Sequence, residues 1–157
     1  MISTLESNLA TVDDRYLNDA ELRPVEDYIQ SHTVRIKTYR LIQEHTEDVV
    51  MKTLRKMVAA HSPQVMQQIG QTCKRDLTNI MHYMGLCILK NDEQGFYEEF
   101  TLWMDTIMKA FKLKDISKVD YGHLRTVIQE TFPADSAKIM FVYVDQLIEA
   151  MSQGSPV

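Results

Sequence analysis

Gln71-Thr72-Cys73-Lys74-Arg75-Asp76-Leu77 lies within a helical pattern that runs from about Gln64 to Leu89. Cys73 and Asp76 stand three residues apart, so a helix puts them on one face. Ile80, Met84 and Cys87 follow Cys73 at 7, 11 and 14 residues, close to whole turns at about 3.6 residues each. The stripe offers a thiol, a carboxylate and then apolar surface. On its own it supports two readings. A cysteine on an apolar stripe is commonly a small buried hydrophobe, and Arg75 and Asp76 are then solvated or paired with other helices.

Outward from that stripe the punctuation is sparse, with 5 Gly and 4 Pro in 157 residues. A sandwich or barrel turns about every 8–12 residues, so the composition points to helices. Upstream, Leu5, Leu9 and Val12 suit a short amphipathic helix from Ser3 to about Val12. Asn18 or Asp19 caps a second one through Leu22, Val25 and Ile29, with Pro24 in its first turns. The pattern continues from Val34 to Val58, with a joint expected near His45–Thr46, and His61-Ser62-Pro63 stops it. Downstream, Asn91-Asp92 makes a turn, and Phe96, Phe100, Trp103, Ile107 and Phe111 mark an apolar face. Asp115–Ser117 reads as a loop and cap before a helix through Leu124 and Ile128. Pro133-Ala134-Asp135 starts the last helix, which carries Val142, Val144, Leu147 and Met151. Seven or eight helices with short connections are compatible with globin-like packing of angled helices.

The length suits one domain. The expectation is a single domain over 1–152, with 1–30 as an N-terminal helical hairpin and 153–157 as a frayed tail. Hydrophobic residues make up 45% and charged residues 25%, a globular balance. A net charge of −5 argues against nucleic acid, which calls for a basic face. Two cysteines do not make a disulfide framework. No signal peptide or transmembrane segment is recognisable, which points to a reducing, cytoplasmic setting.

Cys73-Lys74-Arg75-Asp76 is similar to the Cys-x-Arg-Asp segment of phycobiliproteins, the bilin-carrying subunits of cyanobacterial and algal antennae. Asp14-Arg15-Tyr16-Leu17-x-x-x-Glu21-Leu22 resembles the same family's N-terminal stretch, and Ile29, Arg35 and Ile36 keep its spacing. Val142-Tyr143-Val144-Asp145-Gln146-Leu147-Ile148-Glu149-Ala150-Met151-Ser152 resembles its C-terminal segment. The matches fall in order at both ends and the middle. They imply an all-α, globin-like, phycocyanin-like fold with an N-terminal helical hairpin that joins two subunits. They also imply a thioether from Cys73 to phycocyanobilin or a related linear tetrapyrrole. Asp76 would accept hydrogen bonds from the pyrrole N–H groups, and Arg75, helped by Lys74, would pair with a propionate. Ile80, Trp103 and Met108 would wall the pigment.

Several positions depart from the family pattern. The His61–Thr72 stretch is shorter than usual. Thr78, Asn79 and Ile80 stand where aromatics are common, and His82 where a subunit-pairing Arg is. Met108 lies near the position of a pigment-contacting Tyr, and Lys112 replaces a Gly.

The five histidines make no His-x-x-x-His or Glu-x-x-His pair, so no metal site is expected; they read as solvated or capping groups. Cys87 reads as a buried free thiol. No phosphate loop, nucleophile elbow or paired-carboxylate motif supports catalysis. The leading expectation is a non-catalytic bilin-binding subunit for light harvesting or light sensing. It would pair with itself or with other phycobiliprotein-like subunits through the N-terminal helices, with linker or photosystem components as further partners, at the cytoplasmic or stromal face of thylakoids. The alternatives are a pigment-free interaction or assembly factor that binds no bilin, a bilin lyase or chaperone, and, more distantly, a haem-free sensor globin.

Overall fold

A computed structural model describes residues 14–153, together with residues 6, 9, 10 and 12. The helix expected over Ser3–Val12 and the tail expected over 153–157 fall mainly outside the described residues. The described elements are α1 (Asp19–Gln30), α2 (His32–Ala60), α3 (Pro63–Lys90), the short α4 (Glu93–Gly95), a π-helical stretch (Phe96–Thr101), α5 (Leu102–Ala110), α6 (Lys114–Thr131) and α7 (Ala134–Ser152). No strand occurs among the described residues. The fold is the all-α, globin-like one that the resemblance implied.

Asn18 starts α1 with a reciprocal cap. Its side chain accepts from the Glu21 amide at 3.0 Å, and its own amide donates to Glu21 at 3.0 Å. Arg15 grips the same glutamate from outside, at 2.7 and 2.9 Å. This holds the Glu21 carboxyl down at about 2, chiefly through Arg15 and then through the Asn18 amide. The Arg-Tyr-Leu-x-x-x-Glu spacing is therefore a helix-capping device.

α2 is one continuous helix, and the joint expected at His45–Thr46 does not exist. No glycine or proline interrupts the stretch. Thr46 is buried and its hydroxyl donates back to the Ile42 carbonyl at 2.6 Å, so its polarity is absorbed within the helix. At the corner, His61 is extended, Ser62 caps α3 by accepting from the Val65 amide, and Pro63 occupies the first turn, where a missing N–H costs nothing.

Asn91, left-handed at φ 54, ends α3. Asp92 then accepts from the Gly95 amide at 2.9 Å. A Cβ on Gly95 would collide with that carboxylate, so the close approach requires glycine. The following π-helical stretch breaks the aromatic stripe. Phe96 is buried, Phe100 half-buried, and Trp103 and Phe111 are exposed, because a π turn advances the register by one residue. The loop expected at Asp115–Ser117 is instead the first turn of α6, and the connection lies at Phe111–Leu113, where Lys112 takes φ 57.

The core is continuous. Val49, Val50 and Met57 of α2 meet Ile80, Met81, Met84 and Ile88 of α3, with Leu124 and Ile128 of α6 and Met140, Val144 and Leu147 of α7. Unbranched methionines fill the gaps between crossing helices. Trp103 and Val119 stay outside this core, and so does Val142.

Candidate functional site

One cavity brings four of the expected residues together. Cys73, Asp76 and Ile80 reach it from α3 and Met108 from α5; Met57, Leu77, Ser117, Asp120 and Tyr121 complete the lining. The helical spacing of Cys73, Asp76 and Ile80 thus does what the sequence implied: it delivers a thiol, a carboxylate and an apolar contact to one place. Arg75, Lys74 and Trp103 do not line this cavity. Arg75 and Lys74 are exposed on α3, and Trp103 is exposed on α5 with its ring tilted against Phe100.

Arg75 takes the Asp76 carboxylate from outside. Its Nε and Nη2 both donate to Oδ1 at 3.2 Å. The guanidinium is itself exposed, so this pair is weak and exchangeable.

The other wall carries a tighter pair. His61, at the α2–α3 corner, places Nε2 at 2.6 Å from Asp120 Oδ1, and both side chains are largely buried. Burial pushes the Asp120 carboxyl up, while its hydrogen bond and charge interaction with His61, and then His123, oppose that shift. The Cys73 thiol is pushed up to about 11, first by burial and then by the negative charges of Asp120 and Asp76. Buried Tyr121 is raised as well, by burial and then by Asp76, Cys73 and Asp120. No lysine, arginine or histidine lines the cavity. Its polar groups are two carboxylates, the Cys73 thiol and the Ser117 and Tyr121 hydroxyls.

Residues 8–151 match the family described as phycobilisome protein. The chain belongs to the phycobilisome protein family. No curated protein matches it. Members of the family are generally non-catalytic pigment proteins that carry linear tetrapyrroles and assemble with other subunits, and this chain is a phycobiliprotein-like light-harvesting subunit. No helix among its described residues is long and apolar enough to cross a membrane, and no group of three metal-ligating side chains occurs among them.

The donor set of this phycobilisome protein fits the attachment end of a tetrapyrrole: a half-buried thiol, a carboxylate one turn away, and apolar Ile80, Met57 and Met108 beside them. The volume, about 30 Å³, holds a water or two. A pigment joined to Cys73 therefore lies mostly outside the cavity. Sequence reading missed His61 and Asp120 as a pair, and also Ser117 and Tyr121. The available signal was the spacing Ser117–Asp120–Tyr121–Leu124, a polar stripe that merges into an apolar helix face.

Proposed function

We propose that this phycobilisome protein carries a linear tetrapyrrole such as phycocyanobilin, held by a thioether to Cys73, for antenna energy transfer or light sensing. The observation behind the reading is that the Cys73 thiol and the Asp76 carboxylate share one cavity wall. When bound, the tetrapyrrole supplies the light absorption. The protein supplies the rest. Asp76 accepts from N–H donors through a charge-assisted bond. Arg75, loosely tied to Oδ1, is free to move onto a propionate, with Lys74 beside it on the exposed face. Ile80 and Met108 exclude water from the thiol.

The same reading assigns subunit pairing, with itself or with a related subunit, to the N-terminal helices, and location to the cytoplasmic or stromal face of thylakoids through antenna complexes. The cavity's small volume and the raised Cys73 thiol favour one second reading, a pigment-free interaction or assembly factor for antenna components.

Co-expression with phycocyanobilin-producing enzymes, then denaturing purification and intact-mass measurement, separates the two. The expected result is a bilin-sized increment with visible absorbance, lost in Cys73→Ala. A colourless chain of unmodified mass, even with a lyase present, establishes the pigment-free reading. Passage of the pigment to an acceptor subunit would instead mark a lyase or chaperone.

A further inference from the structure

A second cavity, of about 200 Å³, opens where the start of α2, the end of α3, α4 and α7 come together, and no residue lines both it and the Cys73 cavity. Its polar side chains include three donors with bonding capacity to spare. Tyr143 is 2% exposed, yet its hydroxyl has no hydrogen-bond partner among the described residues. Burial, then the negative charges of Glu93, Cys87 and Asp92, push that hydroxyl up, with Arg35 opposing, so it stays protonated and remains a donor. Arg35 is equally buried. Its bonds to Ser31 Oγ and to the Tyr28 and Leu89 carbonyls use three of the five N–H donors of a guanidinium. Lys138 lines the same cavity from α7, exposed, with no ion pair or hydrogen bond among the described residues. Glu93 is the one carboxylate in the lining. A buried donor left unpaired is costly, and a buried cation more so, so a convergence of such groups on one cavity calls for an acceptor.

We infer that this cavity is a binding site for a small monocarboxylate with a short aliphatic tail, its oxyanion taken by Arg35, Tyr143 and Lys138 and its tail lying on Ile88, Ile139 and Val142. A carboxylate presents about four lone-pair sites, enough for these donors, and its bonds to the two cations are charge-assisted. Arg35 and Lys138 outweigh Glu93 by one formal charge, which a single carboxylate balances and a dianion would exceed. The volume is several times the share of one water, about 30 Å³, so a four-carbon acid has room. The site does not depend on the tetrapyrrole reading, since it shares no residue with the Cys73 cavity.

The test titrates the full chain with sodium butyrate by isothermal calorimetry, at an ionic strength held constant with sodium chloride, and then with butyramide, which keeps the shape and loses the charge. The expected result is saturable one-to-one binding of butyrate, with a dissociation constant of about 1 mM for so small a ligand, and butyramide at least about tenfold weaker. Tyr143→Phe removes only the hydroxyl and Lys138→Met only the charged end of an exposed side chain; each should weaken butyrate about fivefold. Glu93→Gln removes a like charge and should tighten it about threefold. Arg35 is left unaltered because it also holds helix ends, and circular dichroism checks that each variant folds. Cys73→Ala should bind butyrate as wild type does. No saturable binding, butyramide equal to butyrate, or variants that all bind like wild type overturns the inference, and a loss of binding in Cys73→Ala moves the ligand to the other cavity and overturns it too. Should Tyr143→Phe not fold, the two exposed positions decide alone: Lys138→Met and Glu93→Gln that fail to shift the affinity in opposite directions reject the site.

Discussion

Arg35 is 2% exposed and has no carboxylate partner among the described residues. Its Nε donates to Ser31 Oγ at 2.9 Å, its Nη2 to the Tyr28 carbonyl at 2.6 Å, and its Nη1 to the Leu89 carbonyl. Tyr28 and Leu89 lie in the last turns of α1 and α3, where carbonyls lack helical partners and carry the negative end of the helix dipole. The Tyr28 ring also lies under the guanidinium, 4.2 Å from its carbon. One cation thus closes two helix ends and ties α1 to the body. Arg35→Ala takes the guanidinium from the half-buried Leu89 carbonyl and leaves the Tyr28 carbonyl with Ser31 Oγ alone, and should cost about 2 kcal/mol, read as a lower urea midpoint at unchanged slope. A loss below about 1 kcal/mol would mean that water replaces the guanidinium. Arg35 was legible only as a residue at family spacing, because its carbonyl partners lie on two other helices and Leu89 is 54 positions away. Cys73 and Asp76, by contrast, were legible because helical periodicity alone sets their relation. His61 escaped notice because its partner is 59 positions away and no local pattern joins them.

At the scale of elements, boundaries were readable wherever they had a chemical marker. Asn18, Ser62-Pro63, Asn91-Asp92 and Pro133 all stand at observed helix ends. The α5–α6 connection was misplaced by several residues because its deciding feature, Lys112 at φ 57, is a conformation that lysine does not advertise. The π-helical stretch was likewise invisible, since its apolar residues keep a helical spacing and only their register changes. Lys112 stands where the resembled family has glycine, and its left-handed backbone explains that preference: a Cβ is strained there and glycine is not. Lys112→Gly should therefore stabilise the protein by about 0.5–1 kcal/mol, the relief of strain exceeding the greater freedom of glycine in the unfolded chain. At this chain length that is a rise of about 1–4 °C in the thermal midpoint. An unchanged or lower midpoint would show that the exposed lysine side chain makes a contact that offsets the strain.

For the whole molecule, the core was largely legible as a class, since methionine-rich stripes at helical spacing converge in any globin-like packing, whereas subunit pairing through the N-terminal helices was implied only by the family resemblance. α1 buries none of its own residues, and Ile29 is 65% exposed with Leu22 also exposed. An amphipathic helix held out by a capping box at one end and Arg35 at the other gains little from the body it is attached to. Its apolar face is arranged to be covered by something else. In a family whose members assemble with other subunits, a second subunit is the natural cover. If so, Leu22→Glu with Ile29→Glu should leave the thermal midpoint of the isolated body within about 2 °C of wild type, because surface changes away from the core move stability by only about 0.5 kcal/mol each. The same variant should sediment as a monomer at concentrations where the wild type associates, because two buried charges in a helix–helix contact cost several kcal/mol unless paired. A variant that still associates would move the pairing surface elsewhere, with the exposed Trp103 and Phe111 the next aromatic surface to substitute. A wild type that sediments as a monomer would mean that α1 awaits a different chain, and mixing with related subunits before sedimentation would then reveal the partner as a faster species absent from the double variant.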